Sequence, residues 1–206
     1  KGRRKAKGFF DDLTTALLGV KRCSVPDYPL TEALVNGTGS WPAPCQKNGV
    51  RVGIDRRNMP AKFRTTFDSE VRDPCFAAYA KLGLRLIEVP YEDTTNIDVY
   101  WTSLAGSTIG LAEFPSGSCG DNVFCRLDRT YEPNTATEAC LLLHELGHNM
   151  GLNHSNGRND IMAPTITNVS TFPGWLPSDS SYRTLVRFFG GEPLDPVLPP
   201  SPPSPP

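Results

Sequence analysis

The chain has 206 residues, 38% of them hydrophobic, with 21 Lys and Arg set against 22 Asp and Glu. That length supports one sizeable core plus terminal extensions, and the near-neutral balance gives no global electrostatic reason to bind nucleic acid or an anionic membrane. With no run of eighteen or more apolar residues, no segment is expected to span a membrane.

No Met precedes Lys1 and no signal peptide is visible there, which suggests a trimmed start. The one basic cluster, "KGRRKAK" at residues 1–7, reads as a solvated or processing-prone terminus rather than a binding patch. "FFDDLTTALLG", residues 9–19, carries apolar positions at helical spacing and stops at a Gly, so a short helix is expected. From Cys23 to Asn48 the text is rich in Pro, Gly, Ser and Asn and reads as irregular and extended. "VRVGIDR" alternates and is β-branched, a strand. Residues 61–82 look helical, with Pro74 obliged to start, kink or split that helix because it lacks a donor. "LRLIEV", "IDVYWTS", "TIGLAEF" and "VFCRLDR" follow as strands.

"TATEACLLLHELGHN", residues 135–149, reads as a long helix, with Thr135 or Thr137 as cap and Glu138 in the first turn. "PSDSSYRTLVRFFGG" offers Ser178 as cap and Gly190 as stop for another. The closing "GGEPLDPVLPPSPPSPP" presets an extended polyproline helix, a tail or stiff linker. The expected fold is therefore α/β (α+β), one twisted mixed sheet of about five strands with three main helices, divided as 1–45, 46–190 and 191–206.

Six cysteines, at 23, 45, 75, 119, 125 and 140, form no CxxC pair, which disfavours a zinc ribbon and favours an oxidising compartment. Cys119 and Cys125, six apart across a Gly-rich loop, are the expected disulfide pair, and Cys140, directly before His144, a buried free thiol. Sequons at Asn36, Asn153 and Asn168 are compatible with a secreted glycoprotein.

"HELGHNMGLNH", residues 144–154, holds the three histidines of the chain. His144 and His148 lie four apart on one helix face and can grip one ion; Glu145, one position round, can reach a water beside it. A straight helix would carry His154 about 9 Å along the axis from His148, too far to share that ion. The chain must turn back, and Gly151 can take the positive φ that ends a helix. A helix with three surface histidines is the bland alternative. Three neutral nitrogen ligands leave a fourth tetrahedral position, the pattern of a catalytic zinc, with Glu145 as general base for hydrolysis of a peptide bond.

With "NDIMAP" placing Met162 eight residues after His154, this pattern resembles the metzincin metalloproteases, in which that Met packs beneath the metal. Taken alone, Met162 would pass for an ordinary core residue. "HELGHNMGLNHS", the short gap to "IMAP" and "SDSSYRTLVRFFG" are most similar to the matrixins, the matrix metalloproteinases. "KRCSVPD" resembles the matrixin cysteine switch at Arg22, Cys23, Pro26 and Asp27, with Ser24 and Lys21 departing from the pattern. Cys23 as half of an ordinary disulfide is the alternative.

The resemblance implies a metzincin-like catalytic domain over 46–190, preceded by a propeptide remnant over 1–45 whose Cys23 takes the fourth zinc position and holds the enzyme latent. It implies one catalytic zinc on His144, His148 and His154, with structural support from Met162 and Gly151. Substrate would add as a strand along residues 108–113, meeting Leu111, Ala112 and Pro164, beside a pocket where Ala163 replaces the family's usual Tyr. The structural zinc of matrixins is expected to be absent, with disulfides in its place, because no His remains and Glu113 stands at one ligand position. Calcium at Asp121, Asp128 or Glu132 is left open, since scattered surface acids without EF-hand spacing are the commoner explanation.

The expected protein is a secreted, monomeric zymogen of a metalloendopeptidase that acts on protein or peptide substrates in an extracellular matrix or cell wall. Two other readings remain: a non-catalytic wall or matrix glycoprotein built on this scaffold, with the SPPSPP tail doing the work, or a metzincin of another branch.

Overall fold

The computed structural model describes residues 22–23, 41–155 and 160–176, together with 179, 182, 185, 186 and 189. The expected helix at 9–19, Ser178, Gly190 and the Pro-rich tail lie outside the described residues.

Residues 41–48 are not extended, as expected, but carry a short helix α1 (Ala43–Asn48). Pro44 fits within its first turn, where a missing N–H costs nothing. β2 (Val50–Asp55) then turns Val50, Val52 and Ile54 into the core.

The single helix expected over 61–82 is three pieces: a 3₁₀ turn (Ala61–Phe63), a π-helical turn (Phe67–Arg72) and α2 (Asp73–Ala80). Pro74 sits in the first turn of α2, and the widened turn lies directly before it, where Pro74 can donate no helical hydrogen bond backwards.

β3 (Leu86–Val89), β4 (Ile97–Thr102), β5 (Thr108–Ala112) and β6 (Val123–Asp128) match the four remaining predicted strands. Together with β2 they make a five-stranded mixed sheet, and a two-residue strand β1 (Arg22–Cys23) adds a sixth at the edge. The order is β1-β5-β6-β4-β2-β3. β5 runs antiparallel to β6, and every other pairing is parallel.

α3 (Thr135–Asn149) spans the residues the pattern predicts, but its cap is Asn134, whose Oδ1 accepts from Thr137 N–H at 2.8 Å. Thr135 and Thr137 both stand inside the helix. α3 packs on β5, β6, α2 and the π-helical turn. Beyond it, Tyr182, Leu185, Val186 and Phe189 are helical, as expected for the last helix, and Tyr182, Leu185 and Phe189 are buried on one face.

The disulfide joins Cys45 to Cys119, not Cys119 to Cys125. Cys125 lies on β6, whose alternation turns Val123, Cys125 and Leu127 into the core, while Cys119 lies in the exposed β5–β6 loop beside α1. Cys75, Cys125 and Cys140 are buried free thiols, and Cys23 also remains a thiol.

Candidate metal centre

α3 carries His144, Glu145 and His148 into the interior, all three with no exposed surface. The helix ends at Met150, and Gly151 takes φ 93°, so the chain reverses as the spacing to His154 requires. The His144–His148 and His148–His154 ring centroids are both 4.8 Å apart, and those of His144 and His154 5.3 Å.

The tautomers are set by backbone. His144 Nδ1 meets Ile161 O at 2.6 Å and His148 Nδ1 meets Leu152 O at 2.7 Å. A carbonyl can only accept, so each Nδ1 carries the proton and each Nε2 keeps its lone pair. Those two Nε2 atoms face each other at 3.1 Å. Two opposed lone pairs are a poor contact unless a cation lies between them, which is how this donor set fits a metal ion. Loss of hydration on burial, and then the neighbouring imidazoles, favour the neutral form of both rings: His144 is pushed down to about 3 and His148 well below its usual range.

Cys23 closes the group. Its Sγ lies 3.5 Å from His148 Nε2 and 3.6 Å from Glu145 Oε2. The ligand atoms of Cys23, His144, His148 and His154 all fall within 4.8 Å of one another. Among the described residues this is the group of His, Cys, Asp and Glu side chains that could hold a metal ion. Sulfur and imidazole nitrogen in tetrahedral number suit zinc.

β1 places that thiol. Arg22 pairs with Thr108 and Cys23 with Gly110 on β5, and Cys23 N–H donates to Pro164 O at 3.2 Å. The edge strand expected to receive substrate is thus lined by the chain's own Arg22–Cys23, with Ala112 packed against Cys23 and Leu111 beside it.

Met162 is fully buried in the turn after the third His. Ser155 N–H donates to Met162 O at 2.8 Å, tying that turn to the segment that carries His154. A Cβ on Gly147 would meet Met162 Sδ at 2.5 Å, so the Met is seated directly against the ligand helix. Burial pushes the Glu145 carboxyl up to about 8, with the Cys23 thiol hydrogen bond opposing.

Several contributors escaped the sequence reading. Gly110 on β5 is one: a Cβ there would overlap the Glu145 carboxylate. Only a glycine lets the edge strand lie that close. Asp179 is another, accepting from Leu176 N–H at 2.6 Å and Ile161 N–H at 3.4 Å, and Ile161 in turn holds His144. Asn149, next to His148, donates from Nδ2 to Glu113 O and Phe124 O. Its place inside the histidine motif was the available signal. Of the acids left open for calcium, Asp121 is engaged by the Ser116, Gly117 and Ser118 N–H groups, and Asp128 by Thr130.

Among curated proteins, human (Homo sapiens) matrix metalloproteinase-17 is 26% identical over 189 residues, covering 79% of this chain and 30% of that protein. Matrix metalloproteinase-C of Caenorhabditis elegans is 29% identical over 176 residues, covering 76% of this chain and 29% of that protein. The snake venom metalloproteinase trimerelysin-2 of Protobothrops flavoviridis is 40% identical over 55 residues, 27% of each. The chain therefore spans less than a third of the length of these relatives. A family model described as matrixin matches residues 56–180, more than half of the chain. That match runs unbroken from the end of β2 through the edge strand, the ligand helix and the Met162 turn, and on its extent the chain belongs to the matrixin family.

Proposed function

We propose that this chain is a secreted zinc-dependent endopeptidase, a monomer that hydrolyses peptide bonds in proteins of an extracellular matrix or cell wall and is held latent by Cys23. Residues 1–45 are then a propeptide remnant, 46–190 the catalytic domain and 191–206 a Pro-rich tail or linker. The observation that carries this reading is the convergence of Cys23, His144, His148 and His154 beside Glu145. The Cys45–Cys119 disulfide suits an oxidising compartment. No helix among the described residues is long and apolar enough to cross a membrane.

His144, His148 and His154 would hold zinc through neutral nitrogens, with Ile161 O and Leu152 O fixing the first two rings. When bound, zinc supplies a Lewis acid that polarises a carbonyl and lowers the pKa of water to about 7. Displacement of β1 takes the thiol from Glu145 Oε2 and uncovers the hydrogen-bonding edge of β5 and Pro164 O for a substrate strand. Glu145 then accepts the proton of the attacking water and returns it to the leaving amine nitrogen. Water adds across the C–N bond, its oxygen going to the carbonyl carbon, with no covalent link to the protein. Gly110 keeps the Glu145 carboxylate within reach of that strand.

The test is cleavage of denatured protein substrates after removal of the N-terminal segment, with Glu145→Ala as control and zinc counted by mass spectrometry. One zinc per chain and activity lost in the variant and with a chelator are expected. Undiminished activity in Glu145→Ala would overturn the mechanism.

A further inference from the structure

Trp41 stands in a stretch of Gly, Ser and Pro, yet it has no exposed surface. Its indole N–H donates to Asn149 O at 2.9 Å. Asn149 follows His148 and closes α3, where carbonyls run out of helical partners. The Asn149 side chain reaches the other way: Nδ2 donates to Glu113 O at 2.8 Å, just past β5, and to Phe124 O at 3.0 Å on β6. One residue therefore joins the N-terminal segment, the end of the ligand helix and the end of the edge strand.

Trp41 is itself anchored. Gln46 Nε2 donates to Trp41 O at 2.6 Å, and Cys45 is bonded to Cys119 in the β5–β6 loop. The Phe114 ring, one residue beyond Glu113, packs edge-on against His148 at 5.6 Å between centroids.

We infer that Trp41 and Asn149 are positioning residues of the metal centre, setting His148 at a fixed place relative to the edge strand. This inference rests on the metalloprotease reading above. Without the indole N–H, a buried carbonyl next to a ligand loses its donor, and the last turn of α3 is free to move. Without the Asn149 amide, Glu113 O loses its side-chain donor and Phe124 O keeps only Glu113 N–H, so the segment that follows β5, the strand carrying Gly110 against Glu145, loses its hydrogen bond to the end of the helix. The same contacts move the boundary of the mature enzyme from residue 46 to the N-terminal side of Trp41: the cut that releases Cys23 falls before Trp41, and Trp41 and the disulfide-bonded Cys45 stay with the enzyme.

The experiment uses the full chain with Trp41→Phe, Asn149→Ala and a third variant carrying benzothienylalanine at position 41, which keeps the ring shape and lacks the N–H. Three quantities are read: zinc retention against a chromogenic chelator, kcat and KM for a peptide after activation, and the thermal midpoint. Zinc affinity is expected to fall about tenfold in each variant, the low end of what the outer partners of metal ligands cost. A fall in kcat at unchanged KM should accompany it. Wild-type zinc affinity and kcat in the benzothienylalanine protein, whatever its thermal midpoint, would show Trp41 to be a core residue only and overturn the inference. A wild-type chain that holds no zinc overturns the metalloprotease reading together with this one; zinc held equally by wild type and variants overturns this one alone.

Discussion

Helix α3 carries two buried carboxyl groups seven residues apart, two turns along one face, and the two halves of the helix use them differently. Glu138 is 1% exposed and Glu145 0%. Burial is the leading cause in both of a raised pKa, to about 7 and about 8. Glu138 is covered by the core: Trp101 Nε1 on β4 donates to it at 3.3 Å, and the Lys62 charge opposes the rise. Glu145 is covered by the Cys23 thiol on a two-residue strand at the edge of the sheet, and its Oε1 has no hydrogen-bond partner among the described residues. Burial raises the proton affinity of both. On the proposed function, what separates a structural carboxyl from a working one is whether its cover can leave.

The sharpest way to break that contrast is to neutralise each carboxyl in turn. Glu145→Gln is expected to lower kcat of the activated protein about 10³-fold, within the range of general acid–base catalysis, while Glu138→Gln stays within about twofold because nothing near it meets substrate. Equal losses in a peptide-cleavage assay would erase the distinction.

Glu138 should show itself in stability instead. Its folded pKa of about 7 lies above the ordinary value of 4.5, so between those pH values the unfolded chain has released a proton that the fold still holds. Stability contributed by this site therefore falls as pH rises from about 4.5 to 7 and is level above that. Glu138→Gln removes the penalty. In urea unfolding, the variant should gain on wild type by about 2–3 kcal/mol between pH 5 and pH 8. The metal centre titrates alike in both proteins and cancels; a gain independent of pH would show that Glu138 is ionised in the fold.

The cover of Glu145 can be altered from the other side. Gly110→Ala places a methyl where the carboxylate lies, and a displacement on the order of 1 Å is expected to cost about 10²-fold in kcat. Activity at the wild-type level would mean that β5 moves aside freely. The smallest expected change is Cys23→Ser. A hydroxyl is a poorer zinc ligand than a thiolate, and basal activity of the full chain should rise about tenfold, equivalent to roughly 1.4 kcal/mol of lost latch affinity. Equal basal activity in the two proteins would refute latency through Cys23.

Local periodicity made much of this legible. The span of α3 and the four-residue spacing of His144 and His148 follow from one helical repeat, and the reversal at Gly151 follows from a length that a straight helix cannot accommodate. The strands were readable from alternation. Failures occurred where the deciding partner lies far away in sequence or depends on a local backbone choice. Cys45 meets Cys119 across 74 residues because α1 packs beside the β5–β6 loop, and strand alternation takes Cys125 inward instead. Asn134 outcompetes two threonines for the cap because it occupies the extended position before the first turn. Trp41 reads as a loop residue until the end of α3 is placed against it.

The Cys45–Cys119 bond closes a covalent ring through β2, α2, β3, β4 and β5. A single cut anywhere inside that ring, whether by the activity proposed here or by another protease, leaves both pieces on one molecule. Such a nicked chain would run as intact on a gel without reductant and as two fragments with it, so any count of self-cleavage in this protein has to be made after reduction.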